Sequence, residues 1–558
     1  MEPILGLKKA NCKNCYKCIR ECPVKSIRFQ DHQANIIPDE CIYCGLCFVA
    51  CPQNAKQVRC DLPAAKALLA SGEPVYVSLA PSFIADFEVA GIEALAPALR
   101  ELGFAGVEET AVGAQIVKTE YEKMIREKKQ DVIISSCCHS VNLLIQKYYP
   151  KALGALAHTL SPMLAHAKDL KARYPGAKVV FVGPCVSKKD EWDMYGGVDC
   201  VLTFEELRDW LAEEQIQLPA ACPAPEEAAK RARFFPTAGG ILKTMDLAGS
   251  GYTTLVVDGV ESCMEALAEI EAGHLHHCFV EMSACKGSCI AGPATRRFRR
   301  QPLACAVRVE QYAGAAPYEL EQPASELLKK EMTYIGTAQT RPGEAAIRET
   351  LIRMGKTCPE DELNCGTCGY NTCREKAIAV CEGKADISMC LPYMKEKAES
   401  FSDAIISNTP NAIIVMDEDL NIQQVNRSAL QLFHLEPSAD LQGSPVVRLL
   451  NPVEYVKILD SASRRTNISH YLPEYDKYVE EIIWHDRDSH LIISIMKDIT
   501  DREKEANEKN EMRMQAADIT NKVIEKQMRV VQEIASLLGE TTAETKVALT
   551  NLKDTLTK

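Results

Sequence analysis

Short, mostly apolar runs alternate with longer amphipathic stretches through the middle of the chain. Val75-Tyr-Val-Ser-Leu-Ala80, Asp131-Val-Ile-Ile134, Lys178-Val-Val-Phe-Val182 and Cys278-Phe-Val280 read as buried strands. Between them, helices are predicted over 92–102, 113–129, 141–149, 161–174, 204–214 and 263–273. That alternation predicts an α/β domain with a largely parallel sheet over residues 74–340, after a short helix and connector at 62–72. Ile27 and Ile36-Ile37 suggest a hairpin near the N-terminus. Residues 411–433 read strand, turn, strand, helix, and 490–500 as a closing strand. From Asp501 the chain is charged, helical and free of proline. Ala517, Ile524, Val531, Leu538 and Leu552 recur on a seven-residue spacing, with Met528, Ala535, Leu549 and Leu556 filling the offset and Gly539, Thr542 and Thr545 weakening the middle. This predicts a coiled coil or helical hairpin over 501–558 that makes the protein a homodimer.

A length of 558 residues calls for three to five domains. Net charge is −13, which disfavours nucleic acid and anionic membrane as general partners. No run of eighteen apolar residues exists, so no membrane span is expected. The N-terminus lacks a signal-peptide core, which implies a cytoplasmic location. In that compartment 25 cysteines mean metal rather than disulfides. Sixteen are assigned to clusters below. Cys60, Cys200, Cys222, Cys263, Cys278, Cys305, Cys358 and Cys381 are left as core or surface thiols, and Cys137 is treated separately.

Three of the apolar runs end in cysteine: Ser135-Ser-Cys-Cys-His139, Gly183-Pro-Cys-Val-Ser-Lys-Lys189 and Ser283-Ala-Cys-Lys-Gly-Ser-Cys289. Strands that deliver cysteine at their C-terminal ends suit a site in the crevice of an open α/β sheet, so Cys138, Cys185, Cys285 and Cys289 are expected to meet at one iron–sulfur cluster. The loops resemble the three signatures of iron-only hydrogenases, T-S-C-C-P, M-P-C-x-x-K-K and M-A-C-P-G-G-C. The resemblance implies an H-cluster: a cubane on those four thiolates, bridged by Cys289 to a two-iron unit carrying CO, cyanide and a dithiolate. It further implies that Cys137 passes protons, that Lys188 donates to a cyanide, and that maturation proteins install the cofactor. Gly183 and Ser283 stand where the family usually has methionine, and His139 and Lys286 replace prolines. Such changes in the shell around a metal site alter its potential and access. Beyond Cys137, Glu120, Glu261 and Glu281 are alternatives for the proton route. Phe234-Phe-Pro-Thr-Ala-Gly-Gly-Ile-Leu242 either resembles another segment lining this family's site or is a Gly-Gly turn opening a helix. An Ala/Pro-rich stretch at 219–225 reads as a surface excursion, and the basic run 296–300 as a solvated face.

Residues 1–62 carry Cys12-x-x-Cys15-x-x-Cys18-x-x-x-Cys22-Pro and repeat the pattern at Cys41, Cys44, Cys47 and Cys51. This is similar to bacterial two-cluster ferredoxins, in which the fourth cysteine of each run ligates the other cluster. Cys12, Cys15, Cys18 and Cys51 are thus expected on one 4Fe–4S cluster, and Cys22, Cys41, Cys44 and Cys47 on a second. Within 344–395, Cys365-x-x-Cys368-x4-Cys373-x16-Cys390 resembles the small 4Fe–4S domain of corrinoid iron–sulfur proteins, with zinc as runner-up and Cys358 or Cys381 as substitute ligands.

Residues 400–500 contain no cysteine and resemble a PAS domain, including the Asp498-Ile-Thr500 exit. No haem or flavin signature is evident there; His434 or His470 is either a ligand or, the favoured reading, a surface histidine. The fold class is therefore multidomain α/β and α+β. The assembly resembles the family's sensory class: H2 would be split reversibly to protons and electrons, and three accessory 4Fe–4S clusters would relay redox state to a PAS/coiled-coil output and a downstream signalling protein. Two other readings are a metabolic hydrogenase exchanging electrons with a redox partner such as ferredoxin, and a non-catalytic iron–sulfur scaffold.

Overall fold

A computed structural model describes residues 2–87, 89–218, 229–296, 302–337, 341–436, 441–538, 547 and 550–551. The stretch 219–225 with Cys222, the basic run beyond Arg296, and Gly539, Thr542, Thr545, Leu549, Leu552 and Leu556 lie outside the described residues. The chain divides into two compact units, Met1–Tyr393 and Met394–Lys558.

In the first unit, β1 (Leu5–Leu7), β2 (Ile27–Gln30), β3 (Gln33–Ile36) and β4 (Lys56–Val58) form two antiparallel ribbons, β1 with β4 and β2 with β3. Ile27 faces Ile36 as expected, and the two-residue turn puts Asp31 and His32 at φ 52 and 56. Positive φ at both positions is what a tight hairpin with right-handed strand twist requires.

The cysteine-bearing strands lie in two parallel sheets rather than one. With β5 (Val75–Leu79), β6 (Gly106–Glu109), β7 (Val132–Ile134), β8 (Lys178–Gly183), β9 (Cys200–Thr203), β10 (Thr253–Asp258) and β11 (Cys278–Ser283), the orders are β6-β5-β8-β9 and β10-β11-β7. On the other edge of β7 the segment at Leu156 bridges to Ile134, and Ala157 donates its N–H to the Ile134 carbonyl at 2.9 Å. Strands β6, β9 and β10 were not foreseen. The helices Ile92–Glu101, Ala111–Glu127, His139–Tyr148, Pro162–Arg173, Phe204–Glu213 and Val260–Glu271 fall within a few residues of expectation. A further helix, Ser187–Tyr195, follows Cys185 directly.

Residues 56–62 are tied to this domain by buried charge. Lys189 Nζ lies 2.7 Å from Asp61 and 3.0 Å from Glu206, and Arg59 reaches Asp193 at 2.6 Å. Glu206 also closes a capping box with Thr203 at the start of the helix Phe204–Glu213, so one carboxylate fixes both a helix end and a linker. Helices Glu344–Arg353 and Cys373–Cys381 belong to the third cysteine segment, which sits against the N-terminal one. Lys25 Nζ donates to the Gly369 carbonyl at 3.1 Å, and the Phe29 N–H to the Lys384 carbonyl at 2.7 Å. Gly369 has φ +92, and a Cβ there would sit 3.1 Å from the Ile19 side chain, so glycine allows this close approach.

The second unit contains one antiparallel sheet of β12 (Ala412–Asp417), β13 (Ile422–Val425), β14 (Arg465–Leu472), β15 (Lys477–Asp486) and β16 (Leu491–Asp498), ordered β13-β12-β16-β15-β14. Ile414, Met416, Ile422, Phe433, Tyr455, Ile483, Ile492 and Met496 pack on one face. His434 is exposed, and His470 is partly exposed, 3.7 Å from Glu481. Helix Thr500–Leu538 leaves the sheet as a single 39-residue element. Among the described residues no helix is long and apolar enough to cross a membrane.

Candidate metal centre

Strands β7, β8 and β11 end at Ile134, Gly183 and Ser283, and the loops after them meet at a cavity of about 110 Å³. Cys137, Cys138, Cys185, Cys289 and Lys188 line it. Cys138 stands at the N-cap of the helix His139–Tyr148. Cys185 Sγ lies 3.1 Å from Ser187 Oγ. The loop of Cys289 lies hard against that of Cys185, because a Cβ on Gly292 would fall 2.8 Å from the Pro184 carbonyl oxygen. Cys289 is exposed and lines the cavity.

Electrostatics show the same convergence. Burial raises the Cys285 thiol well above its ordinary value, with Cys185, Cys138, Cys289 and Cys44 adding to the rise. Burial raises Cys289 likewise, reinforced by Cys185 and Cys138. Crowded buried thiols ionise only when a cation takes the place of the proton, and four soft sulfur donors suit iron–sulfur chemistry. The residues present therefore fit such a group.

Cys137 is placed differently. Its Sγ lies 3.1 Å from the hydroxyl of Tyr121, a wholly buried side chain that also accepts the Ser136 N–H at 2.9 Å. Burial pushes the Cys137 thiol up to about 12, opposed by the Tyr121 hydrogen bond and by Lys188. Lys188 Nζ donates to the Cys137 carbonyl at 3.1 Å and to Glu191 at 2.5 Å. Glu191 also takes Lys330 Nζ at 2.5 Å and Ser161 Oγ at 3.0 Å. Burial alone would raise the Glu191 carboxyl, but the ammoniums of Lys188 and Lys330 hold it far below the usual carboxylate range. The anionic partner that the buried Lys188 requires is thus already supplied by the protein. Glu191 stands three residues on from Lys188, a helical spacing visible in Ser187-Lys-Lys-Asp-Glu191; Tyr121 and Lys330 carried no such local signal.

Gly183 has no side chain to offer, and Phe181 ring carbons lie 2.7 Å from where its Cβ would be. Phe181 lines the cavity. His139 is fully buried, with Nε2 2.7 Å from Asp190. Of the three glutamates, Glu261 is exposed and Glu120 meets Gln322 at 3.4 Å. Glu281 is buried, receives the Leu242 N–H at 3.1 Å, and its charge reaches Cys137. In the segment 234–242, Phe235 and Pro236 line the cavity, and Gly239 turns the chain into the helix Gly240–Thr244.

Twelve further thiols, those assigned to the accessory clusters, gather in three groups. Burial pushes Cys18 up to about 11; Lys56 opposes this, and Cys51, Cys12 and Cys15 add to it. Burial raises Cys47 well above its ordinary value, with Cys41, Cys22 and Cys44 contributing. Cys365, Cys368, Cys373 and Cys390 line one small cavity. Cys358 instead caps the turn Pro359–Asp361, and Cys381 Sγ lies 3.2 Å from Thr350 Oγ.

Residues 73–249 and 242–293 match the family described as iron only hydrogenase large subunit, C-terminal domain. Residues 5–52 match a 4Fe-4S dicluster domain, 361–392 an Fe-S cluster family and 400–470 the PAS fold. A component of the ion-translocating oxidoreductase complex of Methanosarcina acetivorans is 39% identical over 51 residues, 9% of this chain and 19% of that protein. A 7Fe ferredoxin of Hydrogenibacillus schlegelii is 41% identical over 54 residues, 10% of this chain and 62% of that protein. The chain therefore spans less than two thirds of either relative. Among solved structures, an FeFe-hydrogenase from Chlamydomonas reinhardtii is similar at 19% identity and TM-score 0.38, over 50% of this chain and 100% of that one. The PAS domain of an HTR-like protein from Haloarcula marismortui is similar at 19% identity and TM-score 0.16, over 19% of this chain and 99% of that one.

Proposed function

We propose, for a chain that belongs through residues 73–293 to the iron-only hydrogenases and also carries 4Fe–4S and PAS domains, that it splits H2 reversibly into two protons and two electrons and reports the outcome through its PAS unit. The observation that carries this reading is the cavity where Cys137, Cys138, Cys185, Cys289 and Lys188 meet, with Cys285 beside it. Cys138, Cys185, Cys285 and Cys289 would hold the H-cluster, which when bound supplies heterolytic H2 cleavage and electron storage. Cys137 holds and moves a proton at Sγ, with the Tyr121 hydroxyl orienting that sulfur from 3.1 Å. Lys188, fixed by Glu191, keeps positive charge at the cavity wall. Phe181, Phe235 and Pro236 line the cavity with apolar surface, which limits water there.

Electrons have a short exit. The charge of Cys44 is felt at Cys285, which supports a relay in which a cluster on Cys22, Cys41, Cys44 and Cys47 would exchange electrons with the site. The third cluster segment packs on the same N-terminal module through Lys25 and Gly369. The PAS unit would pass the state to a separate signalling protein.

The test is H2/D2 isotope exchange by the full chain loaded with the two-iron cofactor. HD should form, and a change of Cys289 to alanine should abolish it. A loaded protein that forms no HD overturns the reading in favour of a scaffold.

A further inference from the structure

Seven lysines are buried among the described residues. Four of them, Lys188, Lys189, Lys330 and Lys384, reach a carboxylate. For the other three, carbonyl oxygens accept the hydrogen bonds instead: Ala34 for Lys56, Pro38 and Cys41 for Lys147, and Asp386 for Lys376. Each of these three sits beside thiols assigned to an accessory cluster. The charge of Lys56 is felt at Cys18 and Cys47, that of Lys147 at Cys41, and those of Cys368 and Cys390 at Lys376. A buried ammonium is costly to hold without a negative partner. Where the chain supplies no carboxylate, the negative charge has to come from the thiolate-held cluster.

Lys376 is the most deeply placed of the three, with no exposed surface. It stands on the helix Cys373–Cys381, three residues on from Cys373, so both side chains share a face. It lines the small cavity of Cys365, Cys368, Cys373 and Cys390. Its Nζ donates to the Asp386 carbonyl at 2.6 Å, and lies 3.1 Å from Met389 Sδ and 5.4 Å from the centre of the Tyr370 ring. The Asp386 carboxylate also feels this charge, but it is exposed and accepts the Ser388 N–H at 2.7 Å. Burial pushes the Lys376 ammonium down to about 8, opposed by Cys368, Asp386 and Cys390, so it is charged at neutral pH.

We infer that Lys376 is the fixed counter-charge of the third accessory cluster and biases that cluster toward its reduced state. A 4Fe–4S core that takes up one electron gains one negative charge, and a buried cation beside it favours that form. The electron comes from the clusters of the adjoining N-terminal module, one of which is oxidised in turn. Zinc on the same thiolates takes up no electron, so only a cluster gives the lysine this role. Cys390 stands just ahead of the second unit, which begins at Met394, so the electron is kept at the segment that leads to the PAS domain. Lys376 acts through the cluster and is a positioning residue. The inference deepens the proposed function and rests on its third 4Fe–4S cluster, not on H2 cleavage.

The test is a dithionite titration of the full, cluster-loaded chain at neutral pH, followed by electron paramagnetic resonance. The third cluster's signal is the one that Cys365→Ala removes. Lys376→Met keeps the length and loses the charge. It should lower the ratio of reduced to oxidised cluster at a fixed potential by at least about tenfold, or about 59 mV for one electron. Lys376→Arg, which keeps the charge, should stay within about threefold of the native ratio. Loss of the cluster from Lys376→Met but not from Lys376→Arg would express the same need for positive charge. A Lys376→Met ratio within about twofold of native, or cluster loss from both variants, overturns the inference and leaves Lys376 a packing residue. A native chain with no signal that Cys365→Ala removes overturns the cluster assignment and the inference with it. None of these readouts uses H2, so they stand apart from failure of the proposed activity.

Discussion

Inside the first unit the ammoniums of Lys188, Lys189 and Lys330 are all buried and each meets a carboxylate, while in the second unit Lys477 and Asp498 pair on the surface and Phe401 is 68% exposed. The contrast follows from what each region has to hold. A cavity that takes an anionic metal group needs positive charge placed in advance, and buried charge persists only when paired. The second unit contains no cysteine, and Phe401 and Ile405 are exposed there.

Changes on the two sides should therefore differ in size. The largest effect is expected at Cys137. Cys137→Ala should lower H2 turnover by about 10²–10⁴-fold with iron content unchanged, since a positioned proton carrier is lost and no ligand is. Unaltered turnover in a loaded enzyme would remove Cys137 from the proton route.

Next is Glu191→Ala, which leaves Lys188 and Lys330 unpaired inside the protein. A destabilisation of about 3–5 kcal/mol is expected, read as loss of hydrogen-exchange protection around the helix Ser187–Tyr195. A change below about 1 kcal/mol would show that the network is not needed to hold the site.

Glu281 gives a smaller, pH-dependent effect. Burial pushes its carboxyl up to about 7 from 4.5, against hydrogen bonds from the Leu242, Gly239, Ile241 and Gly240 amides. The folded chain therefore keeps a proton that the unfolded chain releases, and stability falls as pH rises between those two values and is level above them. Glu281→Gln should abolish that slope and protect β11 from exchange by about 1–3 kcal/mol more than the native residue at pH 8, with little difference near pH 4.5. Equal protection at both pH values would mean the carboxyl titrates normally.

The smallest effect belongs to the second unit. Lys477 and Asp498 pair at 2.8 Å on a surface where both are substantially exposed. Lys477→Ala should cost about 0–1 kcal/mol, and less in high salt, as monitored by exchange in β15. A loss as large as that at Glu191 would erase the comparison.

Much of this architecture could be read from the chain because its signals are local. Apolar runs ending in Cys138, Cys185 and Cys285 announce strand ends, and the spacing of Cys12 to Cys22 and Cys41 to Cys51 announces ferredoxin-type clusters. Strands β14 and β15 escaped because exposed polar residues, Glu480 among them, interrupt their apolar pattern. The two-sheet arrangement escaped because strand order depends on pairings between segments far apart in the chain, such as β11 with β7 and β5 with β8. Lys330 meets Glu191 across 139 positions, and Tyr121 meets Cys137 across 16, so no short motif contains either pair.

The central claim is that Cys138, Cys185, Cys285 and Cys289 gather around one redox-active centre, beside Cys137 and Lys188. Infrared spectroscopy of the full chain after loading with the two-iron cofactor tests it most directly. Sharp CO and cyanide bands that shift between argon and H2, and that vanish in Cys289→Ala, are the expected result. Loading that leaves no such bands, or bands indifferent to H2, would contradict it.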